Sequence, residues 1–478
     1  MPRVASSGSL AWLRERGMGA SILVAALSSA FGVVLISATG FIGAMLRADP
    51  YIGDSGTLAF VLSFMTTLLV GVAVYVAAIV TANTFSTVVA GRTRSIALLR
   101  LIGASARSQR REVARQGLVV GIIGALVGLV AGTLLSAAGV AVLTAVLGLD
   151  GVSYPVVQGA LLLPAAIVAL TTWTAAWAGS RRVLTVTPLQ ALGGSVEASR
   201  ETIARRSGRH VAALALFVAG GALLALGILA GLYTPLGVLV AFIGGILSFT
   251  GLALGATLVM PPVLRLVGRC FGSSATARLA AENALRYPER SSRMAIGVVM
   301  GVTLVTMFAV ALETVKAVLT VSAGGELPSE MSTVIDSFAA IMMGLVAVSA
   351  VIAAVGLVNL LTLGVVQRRR ELGLLRALGL SNRQVRRVVL LEAAHITIAA
   401  LVTGLVLGVA YGWAGAQSLL GSVPIDPEAP SVMNFVAPAV PIWPVVIVVG
   451  ATALLTLVAT VVPTRLATRV APVEALAE

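Results

Sequence analysis

Two stretches decide the reading of this chain: RTRSIALLRLIGASARSQRR at residues 92–111 and RRRELGLLRALGLSNRQVRR at residues 368–387. They align at a constant offset of 276 and agree at ten of twenty positions. Arg92, Arg94, Leu98, Leu99, Arg100, Gly103, Ser105, Arg107, Arg110 and Arg111 coincide with Arg368, Arg370, Leu374, Leu375, Arg376, Gly379, Ser381, Arg383, Arg386 and Arg387. Chance does not give ten identities in that order, so the chain contains an internal repeat. Leu98, Leu101 and Ile102, like Leu374, Leu375 and Leu378, make a short apolar stripe on a helix whose other faces are rich in arginine. Gly103 and Gly379 are placed to take the left-handed conformation that stops a helix. Ser105 and Ser381 follow as N-caps, and Gln384 completes a capping box in the second copy. The pattern predicts a helix, a sharp turn and a new helix that runs into a membrane.

The surroundings require the membrane. Of 478 residues 58% are apolar and 11% charged, and the mean hydropathy is +1.03. A soluble domain could not cover its surface with so few polar groups. Apolar runs of the roughly 20 residues needed to cross the hydrocarbon core recur throughout, without the alternation of a barrel strand, so helices satisfy the backbone. The runs predict ten spans, near 18–45, 57–88, 117–147, 155–179, 210–233, 235–260, 294–320, 333–366, 392–421 and 440–463. The first is too long for the apolar core of a signal peptide and reads as a retained helix.

Charge gives an orientation. Segments 1–16, 89–116, 180–209, 261–293, 367–391 and 464–478 hold 31 of the 33 basic residues, leaving Arg47 and Lys316 on the other side with nine acids. The positive-inside rule puts all six segments, and both termini, in the cytoplasm. The net charge of +14 then reflects topology and anionic lipid, not nucleic acid.

A second pair of matches closes each repeat: Pro188, Ala191 and Leu192, then Pro472, Ala475 and Leu476. The expected layout is a four-helix repeat at 1–192, a linker at 193–208, a two-helix insert at 209–261 and a second four-helix repeat at 262–478.

The residues of 368–393, the closing PTRLATRVAPVEAL at 463–476 and ARLAAENALRYPERSSR at 277–293 resemble the FtsX-like permease domain, the membrane component of MacB-type ABC transporters. The four-two-four layout is similar to the long permeases of bacitracin-type peptide detoxification systems. Those relatives carry a large extracytoplasmic domain between the first two spans of a repeat, whereas the loops here, near 46–56 and 321–332, are too short to fold one.

That resemblance implies an all-α polytopic permease in a bacterial cytoplasmic membrane. It implies a separate ABC ATPase, two copies suiting two repeats, that binds ATP and Mg while this chain holds no cofactor. The implied coupling residues are Arg92, Arg94, Leu98, Leu99, Arg100, Gly103 and Ser105 in the first copy. In the second they are Arg368, Arg370, Glu371, Leu374, Leu375, Arg376, Gly379 and Ser381. Export or extraction of a hydrophobic or amphipathic antibiotic, peptide or lipid is the expected work. A signal-transmitting permease that regulates a cell-wall hydrolase is one alternative, and an ion-coupled secondary transporter is another.

The residues agree that ATP is not bound here in the usual way. A Walker A loop needs a lysine for the terminal phosphates, and the only lysine, Lys316, lies in ETVKAV at an external membrane edge. Glu313 and Lys316, three apart on one helix face, can pair and are the candidate outer-leaflet gate. Glu392 and His395 are ionisable residues at the start of a span, expected near the interface, where Glu392 can reach Arg386 or Arg387. Two histidines and one cysteine, Cys270, make neither an ordinary zinc site nor a catalytic triad.

Overall fold

The computed structural model describes residues 18–47, 67, 71, 75, 78, 79, 103–147, 154–180, 207–270, 274–286, 288–322, 324–325, 369–422 and 434–467. Among them the structure is helical, with no strand, and eight helices are long and apolar enough to cross a membrane. The expected spans at 57–88 and 333–366 lie outside the described residues apart from single helical positions in the first. The chain divides into two compact units, residues 1–195 and 196–478.

In the first unit, α1 (Met18–Arg47), α2 (Ala106–Leu147) and α3 (Leu162–Gly179, led in by a 3-10 turn at Gly159–Leu161) pack together. One cluster of small residues in their core is Ala25, Ala125, Ala165 and Val168, with Leu129 and Ala169 against them. Ser29 Oγ donates to the Ala125 carbonyl across the α1–α2 seam at 2.9 Å.

The second unit begins with a hairpin of α4 (Ser207–Gly231) and α5 (Gly237–Leu254). The expected span at 235–260 is interrupted. Gly255, with ψ near 9°, ends α5, and α6 (Ala256–Gly268) carries Pro261 and Pro262, two residues without a backbone donor. The stretch 277–293 is divided between two helices. It forms α7 (Ala275–Arg286) and the start of α8 (Pro288–Ser322), where proline's fixed φ suits the first helical position. Ser291 Oγ donates to the Ala284 carbonyl at 2.7 Å and fastens that elbow. Then come α9 (Arg369–Ala377), α10 (Asn382–Leu420) and α11 (Ile442–Ala467).

Helices cannot associate in lipid by hiding from water, so they must approach closely enough for dispersion to hold them. Glycine permits this at the α1–α2 and α8–α10 seams. A methyl carbon placed on Gly132 of α2 would lie 2.9 Å from Cβ of Val33, and one on Gly128 would lie 2.6 Å from Cβ of Ser29. On α10, a methyl on Gly404 would meet Cβ of Val302 at 2.8 Å, and one on Gly408 that of Thr306 at 2.5 Å. Gly404 and Gly408 follow Gly128 and Gly132 by 276 residues, and Val302 and Thr306 follow Ser29 and Val33 by 273. The α1–α2 and α8–α10 seams therefore share one register. Among the described spans their first helices are the most enclosed: 61% of the apolar window of α1 and 67% of that of α8 are buried, against 17% for α4 and α11.

Substituting Gly132→Leu or Gly408→Leu is expected to cost about 1–3 kcal/mol by overpacking, read as a lower thermal-unfolding midpoint in detergent. Gly139→Ala and Gly450→Ala, where the added carbon meets nothing within 4 Å, should leave the midpoint unchanged.

Candidate functional site

The repeated turn is best described in its second copy. α9 ends in a Schellman arrangement: Leu380 N–H donates to the Leu375 carbonyl at 3.1 Å and Gly379 N–H to that of Arg376 at 3.0 Å. Gly379 sits at φ +100°, where a side chain would be strained. Leu375 and Leu380 pack on buried Val385 and Val389 of α10, the apolar contact that accompanies this motif. Ser381 then caps α10. Its Oγ accepts from Gln384 N–H at 3.3 Å, and Gln384 Oε1 accepts from Ser381 N–H at 2.9 Å. This is the capping box expected from the sequence.

The leucines of α9 thus divide. Leu375 turns inward, while Leu374 (52% exposed) and Leu378 (72% exposed), one helical turn apart, face outward. Arg376 is half-buried beside them, and Arg383, Arg386 and Arg387 are exposed on the first turns of α10. The backbone of Arg370 and Glu371 belongs to α9, and Arg368 lies outside the described residues.

In the first copy, Arg92, Arg94, Leu98, Leu99 and Arg100 lie outside the described residues. Gly103 does stand at φ +106°, and Ser105 Oγ accepts from Ser108 N–H at 3.1 Å to cap α2. From these caps α2 runs for 42 residues and α10 for 39, about 60 Å each at 1.5 Å per residue. That is about twice the hydrocarbon thickness. Sequence reading started these spans at 117 and 392; no breaker intervenes, and the helices begin at the turns themselves.

At the arginine-rich end of α2, the Arg110 guanidinium lies 4.3 Å from the centre of the Trp177 ring of α3, a cation–π contact. Glu392 and His395 depart from the expected interfacial setting: both are buried, at 7% and 0% exposure. His395 Nε2 is 2.6 Å from the Leu264 carbonyl of α6, a partner 131 residues away in sequence that no local pattern announces.

At the arginine-poor end, Glu313 is exposed and Lys316 half-buried on the last turns of α8. Between them, Thr314 Oγ1 accepts from Ala439 N–H at 3.1 Å. This contact belongs to a strap that sequence reading missed. Residues 434–441 run non-helically across α8 and α10. Gln417, fully buried, donates from Nε2 to the Asn434 carbonyl at 2.8 Å and accepts from Val436 N–H at Oε1, 2.7 Å. Trp413 Nε1 donates to the Val436 carbonyl at 2.8 Å. Val436 is buried against Val318 and Leu420 while Phe435 points out. A glutamine within an apolar helix was the available signal. Among the described residues no group of His, Cys, Asp or Glu is arranged to hold a metal ion.

With this geometry in place, comparison with known proteins is informative. The family described as FtsX-like permease C-terminal matches residues 67–188 and 343–472, a little more than half of the chain and inclusive of both turns. ABC transporter permease YtrF of Bacillus subtilis (strain 168) is 38% identical over 73 residues, which is 15% of this chain and 16% of that protein. Uncharacterized ABC transporter permease MJ1507 of Methanocaldococcus jannaschii is 27% identical over 84 residues, 18% of this chain and 21% of that protein. The matched stretches thus span about a sixth and a fifth of these relatives' lengths. On two matched regions that each contain the repeated glycine–serine turn, this multi-pass membrane protein belongs to the FtsX-like permease family of ABC transporter permeases.

Proposed function

We propose that the chain is the membrane subunit of an ABC transporter that takes its energy from a separate ATPase, with ATP and Mg bound there. The observation that carries this reading is the outward Leu374–Leu378 pair on a helix held rigidly by its own Schellman cap and the capping box of α10. An exposed apolar pair rimmed by arginines on a fixed short helix suits a complementary groove in a soluble partner. The repetition of the turn at 103–105 suits two copies of that partner. The arginine-rich ends are then cytoplasmic, with both termini, and the membrane is the bacterial inner membrane.

The substrate we infer is hydrophobic or amphipathic and is exported or extracted at the outer leaflet. The predicted outer loops are short, and the strap at 434–441 presents Phe435 beside a membrane edge where aromatic residues favour the headgroup boundary. Glu313 and Lys316, flanking the strap contact at Thr314, are the proposed gate. The four-two-four division of the chain follows the same proposal.

The decisive experiment is co-purification with an ABC ATPase co-expressed from the same genome, followed by ATP hydrolysis in nanodiscs. Leu374→Glu with Leu378→Glu should weaken ATPase binding about tenfold or more, since two apolar side chains lose their burial in the complex, while the permease still folds. Unchanged binding and hydrolysis would refute the coupling role. Gly379→Ala, which places a side chain at positive φ, should cost about 1–2 kcal/mol locally and lower hydrolysis in the complex without moving the unfolding midpoint of the long helices. For the gate, Lys316→Ala should alter stimulation of hydrolysis by a lipophilic peptide such as bacitracin, with ATPase binding unchanged. An unaltered response would remove Lys316 from the gate.

A further inference from the structure

The helices that leave the two turns start alike and are then held differently. At its arginine-rich end, α2 is tied to α3 by Arg110 stacked on Trp177. In α10 the counterpart arginine, Arg386, is exposed. A histidine nine residues further on makes the attachment, at a position where α2 has Val119.

His395 is fully enclosed, and so is Leu264, the residue whose carbonyl it meets at 2.6 Å. A carbonyl only accepts, so Nε2 carries the hydrogen in this bond. Both the neutral ring with that tautomer and the charged ring supply it, so the attachment does not depend on protonation. One turn further along α6, Gly268 faces the ring: a methyl there would lie 3.2 Å from Cε1 and 3.4 Å from Nε2 of His395. The seat is fitted from both sides.

The element held there is structurally distinctive. α6 follows the interruption at Gly255 and contains Pro261 and Pro262. α7 continues from it and packs on α10 with Ala277, Ala280 and Ala284 as its buried face. Ser291 then ties the start of α8 to α7. In chain order, α6 and α7 connect the two-helix hairpin α4–α5 to the first helix of the second repeat.

We propose that His395 is a positioning residue that pins α6 to α10, so that movement of the second turn is delivered to α6 and α7 and onward to the hairpin. Among the described residues the helix that leaves the first turn is attached to α3, through Arg110 and Trp177. The pin stands on the geometry alone. Its role in transmission rests on the ATPase-coupled reading above.

The chain supplies its own reporter. Cys270, its only cysteine, is exposed and lies two residues beyond Gly268. A nitroxide on Cys270 of the full-length permease in nanodiscs, with no ATPase present, should show a largely immobilised spectrum. His395→Phe keeps a ring and removes the donor, and should raise the mobile-to-immobile ratio about fivefold, the factor that one net hydrogen bond is worth. His395→Gln returns an amide N–H to the Nε2 position and should restore the wild-type spectrum, which loss of packing alone would not predict. Gly268→Ala, pressing on the ring from α6, should give an intermediate ratio and serves if His395→Phe does not fold. No change in the Phe variant, no change in Gly268→Ala, or failure of Gln to rescue would overturn the pin. A second arm adds the ATPase and a non-hydrolysable ATP analogue. A nucleotide-dependent spectral shift present in wild type and lost in His395→Phe supports transmission. No shift in wild type, with the pin intact and the ATPase bound, overturns transmission and leaves the pin standing. Failure of any ATPase to bind refutes the coupled reading itself.

Discussion

Close approach of backbones in an apolar medium is the constraint on which the rest of this structure depends. Leucine against leucine is worth little between helices when lipid tails offer the same contact. Removing a side chain lets a neighbour's backbone and Cβ come into dispersion range along several turns. The seams at Gly128 and Gly132 and at Gly404 and Gly408 do this in the same register. Each brings the long helix that follows a turn against the most enclosed of the described helices in its repeat. The outer faces, with Leu126, Val130 and Leu134 on α2 exposed, are left to lipid.

What was legible in the sequence is what local chemistry fixes. Gly379 and Ser381 are read correctly because a positive φ and a capping box are decided within six residues, and the same grammar at Gly103 and Ser105 repeats them. Span existence is equally local, since about 20 apolar residues need no tertiary information. The division of the leucines was not legible: Leu374, Leu375 and Leu378 read as one stripe, but the cap turns Leu375 back onto Val385 and Val389.

The features that escaped are those made by residues far apart. Gln417 looks like a misplaced polar residue until the strap lies beside it, offering a carbonyl at Asn434 and an amide at Val436. The side-chain amide has both a donor and an acceptor and so substitutes for a neighbouring strand; with Trp413 Nε1 donating to the Val436 carbonyl, Val436 is fully bonded without a sheet. His395 was expected at the interface because hydropathy places it at the beginning of a span. Enclosure by α6 could not be anticipated, because α6 exists as a separate helix only through the interruption at Gly255.

The unbroken length of α2 and α10 has a consequence in rotational phase. An α-helix turns by about 100° per residue, so the direction in which a turn faces is fixed relative to a seam by counting the residues between them. From Ser105 to Gly128 the count is 23, and from Ser381 to Gly404 it is again 23. Each turn therefore points the same way relative to its own seam. A single inserted residue would swing it through more than a quarter circle, while a seven-residue insertion, close to two full turns, would nearly restore its aim. Lengthening these helices is thus quantised: an insertion far from a whole number of turns keeps the two aims equal only if it is made in both copies together.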